Sequence, residues 1–160
     1  MDIIEQAIDF EYNGHKFYTE QAALAKTTAV RDILKNLASD ELEHAEFLEF
    51  LQKNQVDEFK PSDSMHKIKD IIKESIITDP KFLSKDLAVL DVLKAALELE
   101  DKARKHYSDE ALSTLDEKSQ KLLSLLALEE EKHYNLIANL IKFIDEPGNL
   151  LETQEFSHYD

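Results

Sequence analysis

Glu and His recur at a fixed spacing in two parts of the sequence, as Glu41 with His44 and as Glu130 with His133. Each pair interrupts an apolar series that advances by steps of three and four residues. The first series is Leu34, Leu37, Glu41, His44, Leu48 and Leu51, and the second is Leu123, Leu126, Glu130, His133, Ile137 and Leu140. Such steps place residues on one face of an α-helix, so these Glu and His side chains are expected to point into a core. Carboxylates and imidazoles gathered in a core are typical ligands of transition metal ions.

Two more carboxylates, Glu11 and Glu100, fall on the apolar faces of other predicted helices. Their series are Ala7, Glu11, Gly14 and Tyr18, and Ala96, Glu100, Ala103 and Tyr107. A buried ionised carboxylate without a partner is strongly destabilising, and no Lys or Arg shares these faces. Two divalent cations would neutralise four such carboxylates, and two imidazoles would complete the coordination. The sequence therefore predicts a site for two metal ions with six ligands: Glu11, Glu41, His44, Glu100, Glu130 and His133.

The predicted ligands belong to an internal repeat. The pairs Glu11 and Glu100, Tyr18 and Tyr107, Glu41 and Glu130, and His44 and His133 are each separated by 89 positions. By composition, fewer than one Glu-x-x-His motif is expected by chance, and the sequence contains three. The third, Glu155 with His158, has no counterpart 89 positions earlier and is interpreted as the chance occurrence. The repeat predicts a pseudo-twofold arrangement in which each half supplies one Glu and one Glu-x-x-His.

Apolar periodicity predicts four long helices to carry these residues. They span residues 2–26, 29–54, 86–112 and 114–145. The first two and the last two are expected to form antiparallel hairpins, with a capping box of Thr114 and Glu117 beginning the fourth helix. The connection 55–85, with a short helix near 65–77, is long enough to cross the whole bundle between the hairpins. The predicted fold is an all-α four-helix bundle.

Residues 1–145 are expected to form one domain and residues 146–160 a polar tail. The absence of cysteine excludes disulfides, thiolate zinc sites and iron–sulfur clusters from this sequence. A formal net charge of −15 disfavours nucleic acid and anionic membranes as partners, and no apolar run reaches the length of a membrane span. We therefore expect a soluble, cytoplasmic protein. The remaining histidines, His15, His66, His106 and His158, are interpreted as surface residues.

Over residues 2–145 this pattern resembles the rubrerythrin-like members of the ferritin-like superfamily of diiron carboxylate proteins. The resemblance implies a ferritin-like four-helix bundle that binds two iron ions, with a homodimer compatible with the family. It implies that Glu41 and Glu130 bridge the metals, that Glu11 and Glu100 are terminal ligands, and that His44 and His133 each cap one metal. Tyr18 and Tyr107 would then be hydrogen bonded to ligand carboxylates. The alternative for these tyrosines is a core aromatic whose hydroxyl is satisfied elsewhere.

The sequence departs from the family in two respects. Rubrerythrins carry a rubredoxin domain with four cysteines after the bundle, whereas this sequence has none, so a separate electron-donor protein is expected. They also carry an additional Glu one turn beyond the third-helix ligand, where this sequence has Ala103. Ala103 and its repeat mate Gly14 suggest open coordination positions that dioxygen or peroxide can reach. Close helix packing explains small residues equally well.

Oxygen-rich coordination with one nitrogen per ion suits iron or manganese better than zinc, although zinc can also occupy such sites. The preferred functional hypothesis is reduction of hydrogen peroxide or dioxygen with electrons from an external donor. The alternative is ferrous iron binding, oxidation or storage without peroxidase turnover. A helical interaction module with a structural metal site is the third interpretation.

Overall fold

The computed structural model describes residues 3–55, 58–83 and 86–145. These residues form five α-helices and no strand, which confirms the predicted all-α bundle. The helices are α1 (Ile3–Leu24), α2 (Thr28–Gln52), α3 (Ser64–Thr78), α4 (Leu87–Ser113) and α5 (Glu117–Asp145). The predicted tail at 146–160 lies outside the described residues. Among the described helices, none combines the length and apolar character that crossing a membrane requires.

The two hairpins are α1 with α2 and α4 with α5, and the hairpins meet through contacts between α1 and α4. The Thr27 side chain caps α2 by accepting a hydrogen bond of 3.3 Å from the Val30 N–H. The predicted capping box at Thr114 is wrong, because Thr114 ends α4 and α5 begins at Glu117. The Asp116 carboxylate instead accepts from the Ser119 N–H at 3.0 Å. A charged carboxylate is favoured at a helix N-terminus, where it meets unpaired N–H groups and the positive end of the helix dipole.

The crossover between the hairpins begins where α2 ends. Asn54 adopts a positive φ of 55°. The Gln55 N–H bonds to the Phe50 carbonyl and the Asn54 N–H to the Leu51 carbonyl, the pattern of a Schellman motif. The chain then passes through the described segment 58–63 into α3, which packs on α2.

A polar layer divides the core of the bundle into two apolar clusters. One cluster, at the end where α1 meets α2, includes Leu34, Leu37, Ile137 and Leu140. The other includes Leu48, Leu123 and Leu126 and lies toward the turn between α4 and α5. The buried Glu and His side chains occupy the level between them. The apolar series of the sequence thus form the two clusters, and the residues that interrupt the series form the layer.

Candidate metal centre

All six predicted ligands are buried, none more than 4% exposed, and they meet in the polar layer. Their side chains form two groups of four, each with its candidate ligand atoms within 4.8 Å of one another. The groups are Glu11, Glu41, His44 and Glu130, and Glu41, Glu100, Glu130 and His133. Glu41 and Glu130 belong to both groups, whereas each remaining Glu and each His belongs to one. We call the two groups the His44 half-site and the His133 half-site.

Both histidines present Nδ1 to the carboxylates. In the His44 half-site, Nδ1 of His44 lies 3.0 Å from Oε1 of Glu130 and 3.4 Å from Oε2 of Glu11. In the His133 half-site, Nδ1 of His133 lies 3.1 Å from Oε1 of Glu41 and 3.4 Å from Oε1 of Glu100. The two imidazole rings are stacked with their centroids 5.9 Å apart. One nitrogen is therefore available to each half-site.

The two buried tyrosines connect the hairpins through these carboxylates. The Tyr18 hydroxyl on α1 donates a hydrogen bond of 2.6 Å to Oε1 of Glu100 on α4. Reciprocally, the Tyr107 hydroxyl on α4 donates to Oε1 of Glu11 on α1. Burial and the neighbouring carboxylates raise the pKa of both phenols well above its usual value, so they remain hydrogen-bond donors. Each tyrosine leaves the second oxygen of its Glu partner free to face the cluster.

In the metal-free protein, the cluster holds protons that these groups lack in water at neutral pH. Burial and the charge of Glu130 raise the pKa of Glu100 to about 8, and burial with the other carboxylates raises that of Glu41 well above its usual value. Burial alone would lower the pKa of His44, but the charge of Glu11 raises it well above 6.5. Burial opposes ionisation of Glu11 as well, yet the positive charge of His44 lowers its pKa to about 2. The cluster thus compensates its charge by retaining protons.

Three buried carboxylate oxygens indicate whether the site is suited to metal ions. The Oε2 atoms of Glu11, Glu100 and Glu130 are buried and have no hydrogen-bond partner among the described residues. A buried acceptor without a donor is destabilising and is rare in native proteins. A cation needs such oxygen lone pairs, and each half-site adds one imidazole nitrogen. The donor set fits metal ions that accept mixed carboxylate and imidazole coordination.

Asp40 is a residue of this site that the sequence analysis missed. It is buried, and its Oδ2 accepts a hydrogen bond of 2.8 Å from Nε2 of His133, the ring nitrogen that faces away from the cluster. Its Oδ1 accepts a hydrogen bond from the Ser62 hydroxyl in the crossover. Burial alone would raise the pKa of Asp40, but the hydrogen bond from His133 lowers it to about 2. A signal was present in the sequence, because Asp40 lies four residues before His44, on the same face of α2.

Gly14 and Ala103 lie at a narrow cleft between α1 and α4. A Cβ atom on Gly14 would stand 2.9 Å from Oε2 of Glu41, so the missing side chain makes room for a candidate ligand. Gly14 and Ala103 both line a cleft of about 160 Å³ whose walls include Glu41 and Glu100. Close packing therefore accounts for Gly14, with a carboxylate as its neighbour. The predicted open coordination position remains a prediction, and this cleft is where it would lie.

Two of the histidines expected at the surface are partly buried, so that interpretation is wrong for them. His15 makes a 2.8 Å hydrogen bond through Nδ1 to the Ala38 carbonyl, which ties α1 to α2. The ring of His106 packs edge-on against Phe10 with a centroid distance of 5.0 Å. Both lie one position from an inward-facing residue, where helix packing covers part of the flank. His66 is exposed, and His158 lies outside the described residues.

A bundle of two helix hairpins around a buried cluster of four Glu and two His defines the class of ferritin-like carboxylate proteins. The sequence matches the rubrerythrin family over residues 2–141, and the chain belongs to that family. Comparisons with curated proteins and with solved structures found no match. The resemblance inferred from the ligand pattern is thus confirmed at the level of family and fold.

Proposed function

We propose that this protein binds two iron ions in the polar layer and reduces hydrogen peroxide or dioxygen with electrons from a separate donor protein. The observation that carries the proposal is the pair of half-sites that share Glu41 and Glu130. Carboxylates shared between two positions that each have an imidazole nitrogen suit a dinuclear centre. The three buried oxygens without hydrogen-bond donors support the same conclusion.

The roles that we propose for the ligands are supported by their place in the two half-sites. Glu41 and Glu130 would bridge the two ions, while Glu11 and Glu100 would each bind one as terminal ligands. His44 and His133 would each bind one ion through Nδ1. Iron is favoured over zinc because oxygen donors outnumber nitrogen donors, and manganese fits the same donor set. When bound, an iron pair supplies two electrons to an oxidant that reaches it.

Around that centre, the chain orients the ligands and limits what can approach them. The Tyr18 and Tyr107 hydroxyls hold one oxygen of Glu100 and of Glu11, which restricts the rotation of both carboxylates. The cleft past Ala103 has a volume of only about 160 Å³. A cleft of this size has room for small oxidants such as dioxygen and hydrogen peroxide. The surrounding apolar clusters keep bulk water away from the layer.

Ferrous iron binding and oxidation without turnover is the second candidate function. A groove of about 270 Å³ lies between α2 and the crossover, and its lining includes His44 together with Glu43, Glu46 and Glu58. Lys60 also lines the groove and pairs with Glu58 at 3.8 Å, so Glu43 and Glu46 are the carboxylates beside His44 that favour the attraction of cations. This surface is compatible with iron delivery to the centre in either function.

Anaerobic turnover separates the two candidates. Protein loaded with ferrous iron is mixed with many equivalents of hydrogen peroxide and a reduced dye as the electron source, and peroxide loss is followed with time. Peroxide consumption over many cycles, driven by oxidation of the dye, is the expected result. A single stoichiometric oxidation of the iron that stops after one cycle would overturn the reductase proposal and favour iron handling.

A further inference from the structure

The internal repeat is broken at one pair of buried acids beside the metal centre. Asp40 and Glu129 are 89 positions apart, and both are buried. Asp40 accepts a hydrogen bond from Nε2 of His133 in the other hairpin at 2.8 Å. Its mate Glu129 instead accepts from Lys132 on its own helix at 3.1 Å. Equivalent positions in the two halves therefore have different partners.

The imidazole rings are held differently as a consequence. The His133 ring is bound at both nitrogens, with Nδ1 toward the cluster and Nε2 toward Asp40. Among the described residues, the hydrogen bonds and ion pairs of the His44 ring all involve Nδ1. An Nε2–H bonded to a carboxylate fixes the tautomer that directs the Nδ1 lone pair to a metal, and it makes that nitrogen more basic. Among the described residues, the His133 half-site has this support and the His44 half-site does not.

The described part of the crossover, from residue 58 onward, gives a reason for this difference between the half-sites. Its Ser62 hydroxyl donates to Oδ1 of Asp40 and accepts from the Ser64 N–H at 3.2 Å, so Asp40 is tied to the start of α3. The same segment places the Phe59 ring beside His44, with centroids 5.9 Å apart, and a phenyl ring offers no carboxylate to Nε2. The crossover occurs once, so it has no counterpart in the repeat and makes the surroundings of the two half-sites different. His44 in turn borders the groove of about 270 Å³.

We propose that the two half-sites are inequivalent, and that the His133 half-site binds its metal ion first and more tightly because Asp40 positions His133. The His44 half-site then holds the exchangeable ion. This inference rests on the metal binding proposed above, but not on any reaction with an oxidant. Asp40 is a positioning residue, because it acts on the metal only through the His133 ring.

Stepwise metal titration tests this inference without any activity assay. Metal-free protein is titrated with cobalt(II) against a competing chelator, and the visible spectrum reports each binding step. Two separable steps are expected in the parent protein, with His44→Ala removing the weaker step and His133→Ala the tighter one. Asp40→Ala is expected to weaken the tighter step by about 10- to 100-fold and to leave the weaker step unchanged. Glu129→Ala, which removes the buried acid at the equivalent repeat position, is the matched control and should alter neither step.

Ser62→Ala is the second variant, and it leaves all the buried carboxylates in place. It should also weaken the tighter binding step, by a smaller factor than Asp40→Ala does. One affinity for both ions in the parent protein would overturn the inference, and so would equal weakening of both steps by Asp40→Ala. Failure of the parent protein to bind cobalt or iron at all would instead overturn the proposed metal centre. The two failures are therefore distinguishable.

Discussion

The Tyr18 hydroxyl, on the first helix hairpin, donates a hydrogen bond of 2.6 Å to Oε1 of Glu100 on the second. Tyr107 makes the reciprocal bond to Glu11, so each hairpin fixes a terminal carboxylate of the other. The polar layer therefore links the two hairpins through hydrogen bonds, and it is also the candidate metal site. Its stability and its metal chemistry are expected to change together.

Removing the Tyr18 hydroxyl tests this link between the hairpins. Tyr18→Phe would remove the donor that lies 2.6 Å from Oε1 of Glu100 and leave that oxygen only the longer contact of 3.4 Å to Nδ1 of His133, which is expected to lower the free energy of unfolding of the metal-free protein by about 1–3 kcal/mol. Urea unfolding with a chelator present measures the change. Tyr12→Phe is the matched control, because the Tyr12 hydroxyl donates to Glu49 at 2.7 Å on the exposed surface. Equal losses in the two variants would contradict a structural role for the buried bond.

Stability of the metal-free protein is expected to fall as pH rises from 6 to 8. The pKa of Glu100 is raised from 4.5 to about 8. The stability that this shift contributes is therefore fully present below pH 4.5 and is lost as pH rises through 8. The pKa values of His44 and His133 are also raised, and their contribution is lost in the same direction above pH 6.5. Glu100 alone is expected to contribute about 2–3 kcal/mol over this window.

Metal loading should reverse the sign of that pH dependence. Ions must displace the protons held by Glu100, His44 and His133, so the stabilisation that metal provides grows as pH rises. Unfolding curves at pH 6, 7 and 8, with a chelator or with excess metal, measure both slopes. A metal-free protein that gains stability between pH 6 and 8 would show that the cluster does not retain protons as described.

Gly14→Ala separates helix propensity from metal binding. The new Cβ would meet Oε2 of Glu41 at 2.9 Å and displace that carboxylate, while Ala gains up to about 1 kcal/mol over Gly in a helix. We expect weaker metal binding with little loss of metal-free stability. Asn13→Ala is the control, because it also improves helix propensity, at an exposed neighbouring position. Unchanged metal affinity in Gly14→Ala would show that Glu41 adjusts freely.

Ala103→Leu tests whether the cleft between α1 and α4 admits the oxidant. The larger side chain would fill part of a space of about 160 Å³ that Glu41 and Glu100 also line. Metal content is expected to stay the same, while peroxide oxidises the ferrous protein about tenfold more slowly, equivalent to about 1.4 kcal/mol of barrier. Lys94→Leu, at an exposed position on the same helix, is the control. Equal rates in both variants would place the access route elsewhere.

The buried cluster of Glu and His and the fold could be predicted because the chemistry of these side chains conflicts with their positions in apolar series. Glu41 and His133 stand in apolar series where ionisable groups are unfavourable, and the repeat identifies their partners. The contact between Asp40 and His133 depends on how two hairpins dock, and that from Ser62 depends on the path of the crossover. Neither contact produces a regular spacing in the sequence, because each one joins residues from two separate segments of the chain. The prediction of a helix cap at Thr114 was wrong for a simpler reason, because Asp116, two residues later, is at least as good a capping residue.

Metal content of the iron-loaded protein tests the central claim most directly. Protein reconstituted anaerobically with ferrous iron and freed of excess metal is compared with the double variant Glu41→Ala, Glu130→Ala, which removes both shared carboxylates. The control double variant is Glu43→Ala, Glu131→Ala, which removes two exposed carboxylates near the same motifs. We predict close to two irons per chain in the parent and the control, and almost none when the shared carboxylates are absent. A parent protein that retains no iron, or a Glu41→Ala, Glu130→Ala variant that retains as much as the parent, would contradict the account.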